Sequence, residues 1–164
     1  MDKKAIYAGS FDPITNGHLD IINRAAKQYN KLFIGVIANP GKTPGYTLEE
    51  RKEMIAAVTG HIKNIKIVCF SGLLADYVNS NKFDVVIRGL RAITDFDYEI
   101  QMAQMNARLF ENNVETIFLM TSPSYSFISS SVINEVFRLG GDISGLVPDK
   151  ILEYMERKRR NADE

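Results

Sequence analysis

The chain has 164 residues, within the single-domain range, and its 20 Lys and Arg balance its 20 Asp and Glu, so no global field selects a long polyanion or an anionic membrane as partner. Any phosphate binding must therefore be local. A single cysteine, Cys69 in the apolar run IKIVCF, excludes an internal disulfide and a thiolate metal cage, and no stretch reaches the ~20 apolar residues of a membrane span or forms an apolar leader, so a reducing cytoplasm is expected.

Short β-branched runs at Ala5 to Ala8, Leu32 to Ala38, Ile65 to Phe70, Val85 to Ile87 and Thr116 to Met120 read as strands buried on both faces. Between the first two, residues 17 to 29 set Ile21, Ile22, Ala25, Ala26 and Tyr29 on one stripe of an amphipathic helix. Thr47 with Glu50 forms a capping box that opens a second helix. Further helices are predicted at about 73 to 80, 98 to 111, 129 to 139 and 149 to 160. The last carries Arg157, Lys158, Arg159 and Arg160; cations there complement the negative helix end, so the basic tail is not read as a nucleic-acid site. This alternation predicts one α/β domain over residues 1 to 164, a doubly wound, Rossmann-like parallel five-stranded sheet with helices on both faces. In such folds ligands bind at the carboxyl ends of strands.

Three familiar motifs are excluded. Gly41-Lys42-Thr43 resembles the end of a P-loop, but five residues rather than four separate Gly35 from Gly41, and Gly35 falls inside the second strand. The first strand-to-helix turn lacks the dinucleotide fingerprint G-x-G-x-x-G. His18 and His61 have no companions at metal-ligand spacing, so no protein metal site is expected.

The informative turn is GSFDPITNGH, Gly9 to His18, which joins the first strand to the first helix. Unpaired N–H groups and the positive dipole end attract an anion there, and His18 is placed to donate to phosphate. Thr15-Asn16-Gly17-His18 resembles the H/T-x-G-H signature of a nucleotidyltransferase superfamily, and the serine-rich Phe127 to Ser131 resembles its second signature. Together with TLEER at 47 to 51, IRGLRAITDFDYE at 87 to 99 and YSFISSS at 125 to 131, these motifs resemble the bacterial phosphopantetheine adenylyltransferase family over about residues 4 to 148.

That resemblance implies transfer of adenylyl from ATP to 4'-phosphopantetheine, giving dephospho-coenzyme A and pyrophosphate with Mg2+. It places His18 on the α-phosphate as transition-state stabiliser, with Lys42 and Arg91 also catalytic. ATP would meet Ser10, Phe11, His18, Gly89, Leu90, Arg91, Glu99 and the run Tyr125, Ser126, Phe127, Ile128, Ser129, Ser130 and Ser131. The acceptor would meet Ser10, Lys42, Leu74 and Arg88, although Leu74 fits a core position equally well. Ser10 stands where many relatives carry threonine, and Gly72 where some carry aspartate, so position 72 receives no catalytic role. The resemblance also implies a homohexamer and coenzyme A as a feedback ligand, with magnesium held mainly by ATP phosphates. The chemistry is self-consistent: a phosphate monoester with a second pKa of about 6 is already ionised at neutral pH and needs alignment rather than a general base. Rival readings are an adenylyl- or cytidylyltransferase acting on nicotinate mononucleotide or glycerol phosphate, and a non-catalytic nucleotide-binding module. Thr15 and the IRGLRA segment speak against the first, and His18 with the serine-rich turn against the second.

Overall fold

The computed structural model describes residues 3–38, 41, 43–91 and 93–163. Strand β1 (Lys4–Gly9) leads into helix α1 (Asn16–Ala26), β2 (Lys31–Ala38) into α2 (Leu48–Thr59), β3 (Ile65–Ser71) into α3 (Leu74–Asn81), and β4 (Val85–Leu90) into α4 (Ile93–Leu109). After β5 (Glu115–Met120) come a 3-10 turn (Pro123–Tyr125), α5 (Ser130–Arg138) and α6 (Asp149–Asp163). All strand pairs are parallel, in the order β3-β2-β1-β4-β5. The five-stranded α/β expectation holds.

The alternation of β1 side chains generates two cores. Ala5 and Tyr7 join Ile34, Val36 and Ile87 beneath Ile21, Ile22, Met54, Ile133 and Ile151 of α1, α2, α5 and α6. Ile6 and Ala8 turn to the other face, where they meet Val78 of α3 and Val86. Period-two alternation in a strand covered on both sides therefore reads as an unbroken apolar run, as KAIYAG does. Gly35, excluded above from a P-loop, sits mid-strand opposite Ala8 and Val68.

Several boundaries differ from the sequence expectation. β4 continues to Leu90 because Arg88 and Gly89 have ladder partners in Phe118 and Leu119, so the arginine belongs to the strand and not to the loop after it. α4 starts at Ile93, five residues before the expected 98, with Asp95 in its first turn, where the positive helix end favours a carboxylate. α1 closes at Ala26, leaving Tyr29 beyond it yet packed on the core. Cys69 is only half-buried, and burial raises its thiol pKa. No described helix is long and apolar enough to cross a membrane.

Strand order reverses direction between β1 and β4: one neighbour chain runs from β1 to β2 and β3, the other from β4 to β5. At that switch point the flanking connections leave on opposite faces and open a crevice at the carboxyl ends of the strands. Gly9 and Leu90 end those two strands there.

Gly35 gives a direct check on the packing of the sheet. A Cβ at this position would lie 2.9 Å from Ile6 Cδ1 and 2.9 Å from Phe70 Cε1. Gly35→Ala should therefore destabilise the fold by about 1–3 kcal/mol through overpacking. Urea denaturation should show a lower midpoint with an unchanged slope.

Candidate active site

Three arms of one branched cleft meet at Ser10. The first, about 450 Å3, is lined by His18, Arg88, Arg91, Glu99 and Ser129 to Ser131. The second, about 360 Å3, runs between Leu74, Val86, Met102 and Ala103. The third, about 720 Å3, lies against Asp12, Tyr46, Arg51 and Asn134. The first and third carry charges and hydroxyls, and the second sets the aliphatic side chains of Leu74, Val86 and Met102 beside Arg88 and Glu99, a shape suited to a phosphorylated molecule with an apolar arm.

The turn from β1 to α1 is built around a capping box of unusual composition. Thr15 is the N-cap: its Oγ1 accepts the His18 N–H at 3.4 Å, while its own N–H donates to His18 Nδ1 at 3.1 Å. Glutamate or glutamine ordinarily takes the reciprocal position. With Nδ1 occupied as an acceptor, the neutral ring carries its proton on Nε2. Burial, and after it the positive charges of Arg91 and Arg88, lower the His18 pKa to about 4. Phe11 packs its ring edge-on against the imidazole, with centroids 5.0 Å apart and the planes at 67°. The result is a fixed, uncharged N–H donor beside two guanidinium groups.

Phe11 itself is fully buried and adopts a positive φ of 46°, so its ring belongs to the core and the residue lies outside the lining of all three arms. Gly17 lies where a Cβ would meet Thr121 Cγ2 at 3.3 Å, which keeps the helix start close to β5.

Arg88 and Arg91 are both held by carboxylates. Arg88 donates to Glu99 through Nε and Nη2 at 2.7 Å each, and through Nη1 to Ala8 O at 2.7 Å. Burial acts against its charge, but Glu99 outweighs that and raises the arginine pKa. Arg91 forms the equivalent fork with Asp95 at 2.9 and 3.0 Å and reaches Ile128 O at 3.1 Å. Glu99, expected at ATP, thus also acts as the partner of Arg88 on the cleft wall. Gly89 passes beside Tyr7, whose Oη would lie 3.2 Å from a Cβ there.

The serine-rich segment divides. Ile128 to Ser131 line the His18 arm, with Ser129 capping α5 by accepting the Val132 N–H at 3.1 Å. Ser130 donates to Pro13 O at 2.8 Å, joining α5 to the first turn. Tyr125, Ser126 and Phe127 lie outside the lining of all three arms; Ser126 Oγ donates to Pro123 O at 3.0 Å and Phe127 is 67% exposed. Leu90 is buried, and its carbonyl is taken by the Thr121 N–H at 2.8 Å. Leu74 lines the aliphatic arm while also packing on the second core, so both of its readings hold together. Lys42 lies outside the described residues.

Residues without a role at the sequence level also shape the cleft. Arg51 is buried and donates to Ser10 O at 2.9 Å, Ile37 O at 3.2 Å and Thr47 O at 3.3 Å. Asp20 accepts Ser122 N–H at 3.1 Å and Arg24 at 3.2 Å, binding α1 to the end of β5. Asp12 holds the amides of Gly45 and Tyr46. TLEER contains Arg51 and FDP contains Asp12, whereas Asp20 lies in neither, and only the Thr47 cap in these motifs has a local sequence signature.

A cytidylyltransferase-like family model matches residues 6–136. Phosphopantetheine adenylyltransferase of Alkaliphilus oremlandii is 55% identical over 156 residues, which is 95% of this chain and 99% of that relative. Relatives of the same name from Clostridium botulinum strain Alaska E43 and Alkaliphilus metalliredigens are 48% and 49% identical, over 96% and 95% of this chain and 99% of each relative.

The depressed pKa of His18 has a checkable consequence. Its folded-state value of about 4 lies below the unfolded value of about 6.5, so the native state binds fewer protons between them. The stability held at neutral pH is therefore lost as pH falls from about 6.5 towards 4. In NMR spectra the His18 Hε1 shift should stay flat from about pH 8 to 5.5, while a midpoint near 6.5 would contradict the burial.

Proposed function

This chain belongs to the phosphopantetheine adenylyltransferase family, and we propose that it transfers the adenylyl group of ATP to 4'-phosphopantetheine, releasing pyrophosphate and forming dephospho-coenzyme A. The observation that carries this reading is the neutral Nε2–H of His18 fixed between Arg88 and Arg91 in a cleft that continues into an aliphatic arm.

An oxygen of the acceptor phosphate attacks the α-phosphorus, a P–O bond forms, and the bond to the β-phosphate bridging oxygen breaks. Its electron pair leaves with pyrophosphate. Because the acceptor is already ionised, the protein's task is to align anions and screen their repulsion. His18 donates to the α-phosphate oxygens, whose charge is crowded most in the transition state. Arg91 and the N-terminus of α5, through Ser129, Ser130 and Ser131, receive the triphosphate. Gly89 allows the nucleotide to approach β4 closely. Arg88 and Lys42 hold the acceptor phosphate, Ser10 stands between the two substrates, and Leu74 with Met102 bounds the pantetheine arm.

Magnesium would supply charge neutralisation on the leaving pyrophosphate. Among the described residues no three His, Cys, Asp or Glu side chains are grouped to hold a metal. Asp95 and Glu99 each already engage an arginine, which supports entry of the ion on the ATP phosphates. Assembly as a homohexamer accords with Phe96, Met102, Met105 and Leu109 of α4, large apolar side chains left exposed on one chain. The half-buried free Cys69 accords with a reducing cytoplasm, and coenzyme A, which shares the pantetheine and adenylyl parts of the product, would compete at the same cleft.

A pyrophosphate-release assay with ATP, magnesium and separate acceptors tests the reading. Turnover is expected with 4'-phosphopantetheine; turnover with nicotinate mononucleotide alone would displace the acceptor, and none with any acceptor would indicate a binding module. In the same assay His18→Ala should lower kcat roughly 10²-fold or more and leave ATP affinity nearly unchanged, the pattern of a donor used in the transition state. Undiminished kcat would remove His18 from the chemistry.

A further inference from the structure

Asp12 sits inside the phosphate-receiving turn, yet it lines the third arm of the cleft and not the arm that holds His18. Its Oδ2 accepts the Gly45 N–H at 2.9 Å and its Oδ1 the Tyr46 N–H at 2.9 Å, so one carboxylate grips two consecutive amides of the segment that follows β2. The Asp12 carbonyl accepts Asn134 Nδ2 at 2.9 Å, and the adjoining Pro13 carbonyl accepts the Ser130 hydroxyl at 2.8 Å. The first turn, the segment after β2 and the opening of α5 thus converge on a single aspartate.

The far side of that segment is gripped independently. Lys158 of α6 donates to Gly45 O at 3.4 Å and lies 4.7 Å from the centroid of the buried Tyr46 ring. Glu50, which completes the α2 capping box, accepts from the same ammonium at 2.7 Å and 2.9 Å. The segment is therefore fastened at both of its last two residues, on the active-site side by Asp12.

We propose that Asp12 is a positioning residue that keeps residues 43 to 46 in register with the turn that receives the ATP phosphates. The inference rests on the proposed assignment of the acceptor phosphate to Lys42, which precedes them in the sequence. In-line transfer demands that the attacking oxygen approach the α-phosphorus to about 3–3.5 Å, and a displacement of about 1 Å costs roughly 10²-fold in rate. Two substrates held by two separate loops meet that tolerance only if the loops are tied to each other. A carboxylate suits the task because both of its oxygens only accept.

Asp12→Asn is nearly isosteric, but its NH2 must face one of the two amide N–H groups, so one of the bonds is lost. With the full-length enzyme, we expect KM for 4'-phosphopantetheine to rise about 10-fold and kcat to fall by as much as roughly 10²-fold. KM for ATP should change less than about two-fold, with circular dichroism and melting unchanged but for a small shift. Combining Asp12→Asn with Lys42→Ala should lose little more than Lys42→Ala alone, since both act on one phosphate. Equal increases in both KM values, or fully additive losses, would overturn the proposal. Amide exchange at Gly45 and Tyr46 should quicken in the variant without any substrate present; unchanged exchange would refute the tie itself. Wild-type turnover of 4'-phosphopantetheine is scored first, so a failed acceptor assignment is visible separately. Should Asp12→Asn not fold, Lys158→Met loosens the same segment from its other anchor and must give the same split, more weakly; an even loss for both substrates would again overturn it.

Discussion

The hydrogen bond from the Thr15 N–H to His18 Nδ1 governs the rest of the site. An imidazole with both nitrogens free would exchange tautomers and would protonate near the phosphates, whose field favours a cation. Here one nitrogen is committed to the helix cap, burial removes the option of charge, and Arg88 and Arg91 push in the same direction. What remains is one N–H in one direction. The cap therefore does two things with the same atoms: it starts α1, by satisfying end groups that every helix leaves unpaired, and it chooses which ring nitrogen of His18 carries the proton.

Burial keeps the histidine neutral and the cations close by act in the same sense, but cations close to one another repel. The cleft resolves this with paired forks. Glu99 faces Arg88 through two 2.7 Å bonds, and Asp95 faces Arg91 at 2.9 and 3.0 Å. Each carboxylate removes much of its arginine's charge at long range while leaving the guanidinium plane fixed and partly exposed, at 25% for Arg88 and 38% for Arg91. Anion recognition then depends on short-range donors of fixed direction, as bidentate arginine chemistry favours. It also accounts for a chain of zero formal net charge handling polyphosphates: directed donors in the cleft, and not a global field, meet the anion.

The fold was legible because its signals are local or periodic. Runs such as AIYA and LFIGVIA declare doubly covered strands, and Thr47 with Glu50 declares a helix start. The anion-binding turn was legible for the same reason, since Gly, Pro and a helix start lie within ten residues. What escaped were pairings across the chain. Asp12 meets Gly45 and Tyr46, Arg51 meets Ser10, and Arg88 meets Glu99; no period or spacing encodes such contacts. The Thr15 and His18 box escaped for another reason: histidine is not the residue that the capping pattern looks for, although its Nδ1 accepts as a carboxylate does. Arg88 was placed after β4 because a charge in a buried strand contradicts propensity, and its ladder partner Phe118 overrides that. Tyr125, Ser126 and Phe127 entered the expected site by motif continuity, whereas the 3-10 turn at Pro123–Tyr125 carries them away from the cleft lining before Ile128 returns to it.

A crevice at a switch point has a structural cost that the same arginines offset. Where β1 parts from β2 and β4, the last carbonyls of the strands lose ladder partners, and a buried carbonyl without a donor is destabilising by about 1–3 kcal/mol. Arg88 donates to Ala8 O, and Arg51 bridges Ser10 O and Ile37 O across the gap between the ends of β1 and β2. Arg91 does likewise for Ile128 O, just before α5 begins. No apolar side chain could fill these positions without orphaning the carbonyls, and lysine, a point donor, could not span two of them in one plane. The cations that a phosphate site needs are thus also those that allow the sheet to open, so cleft geometry and cleft charge cannot vary independently in this fold.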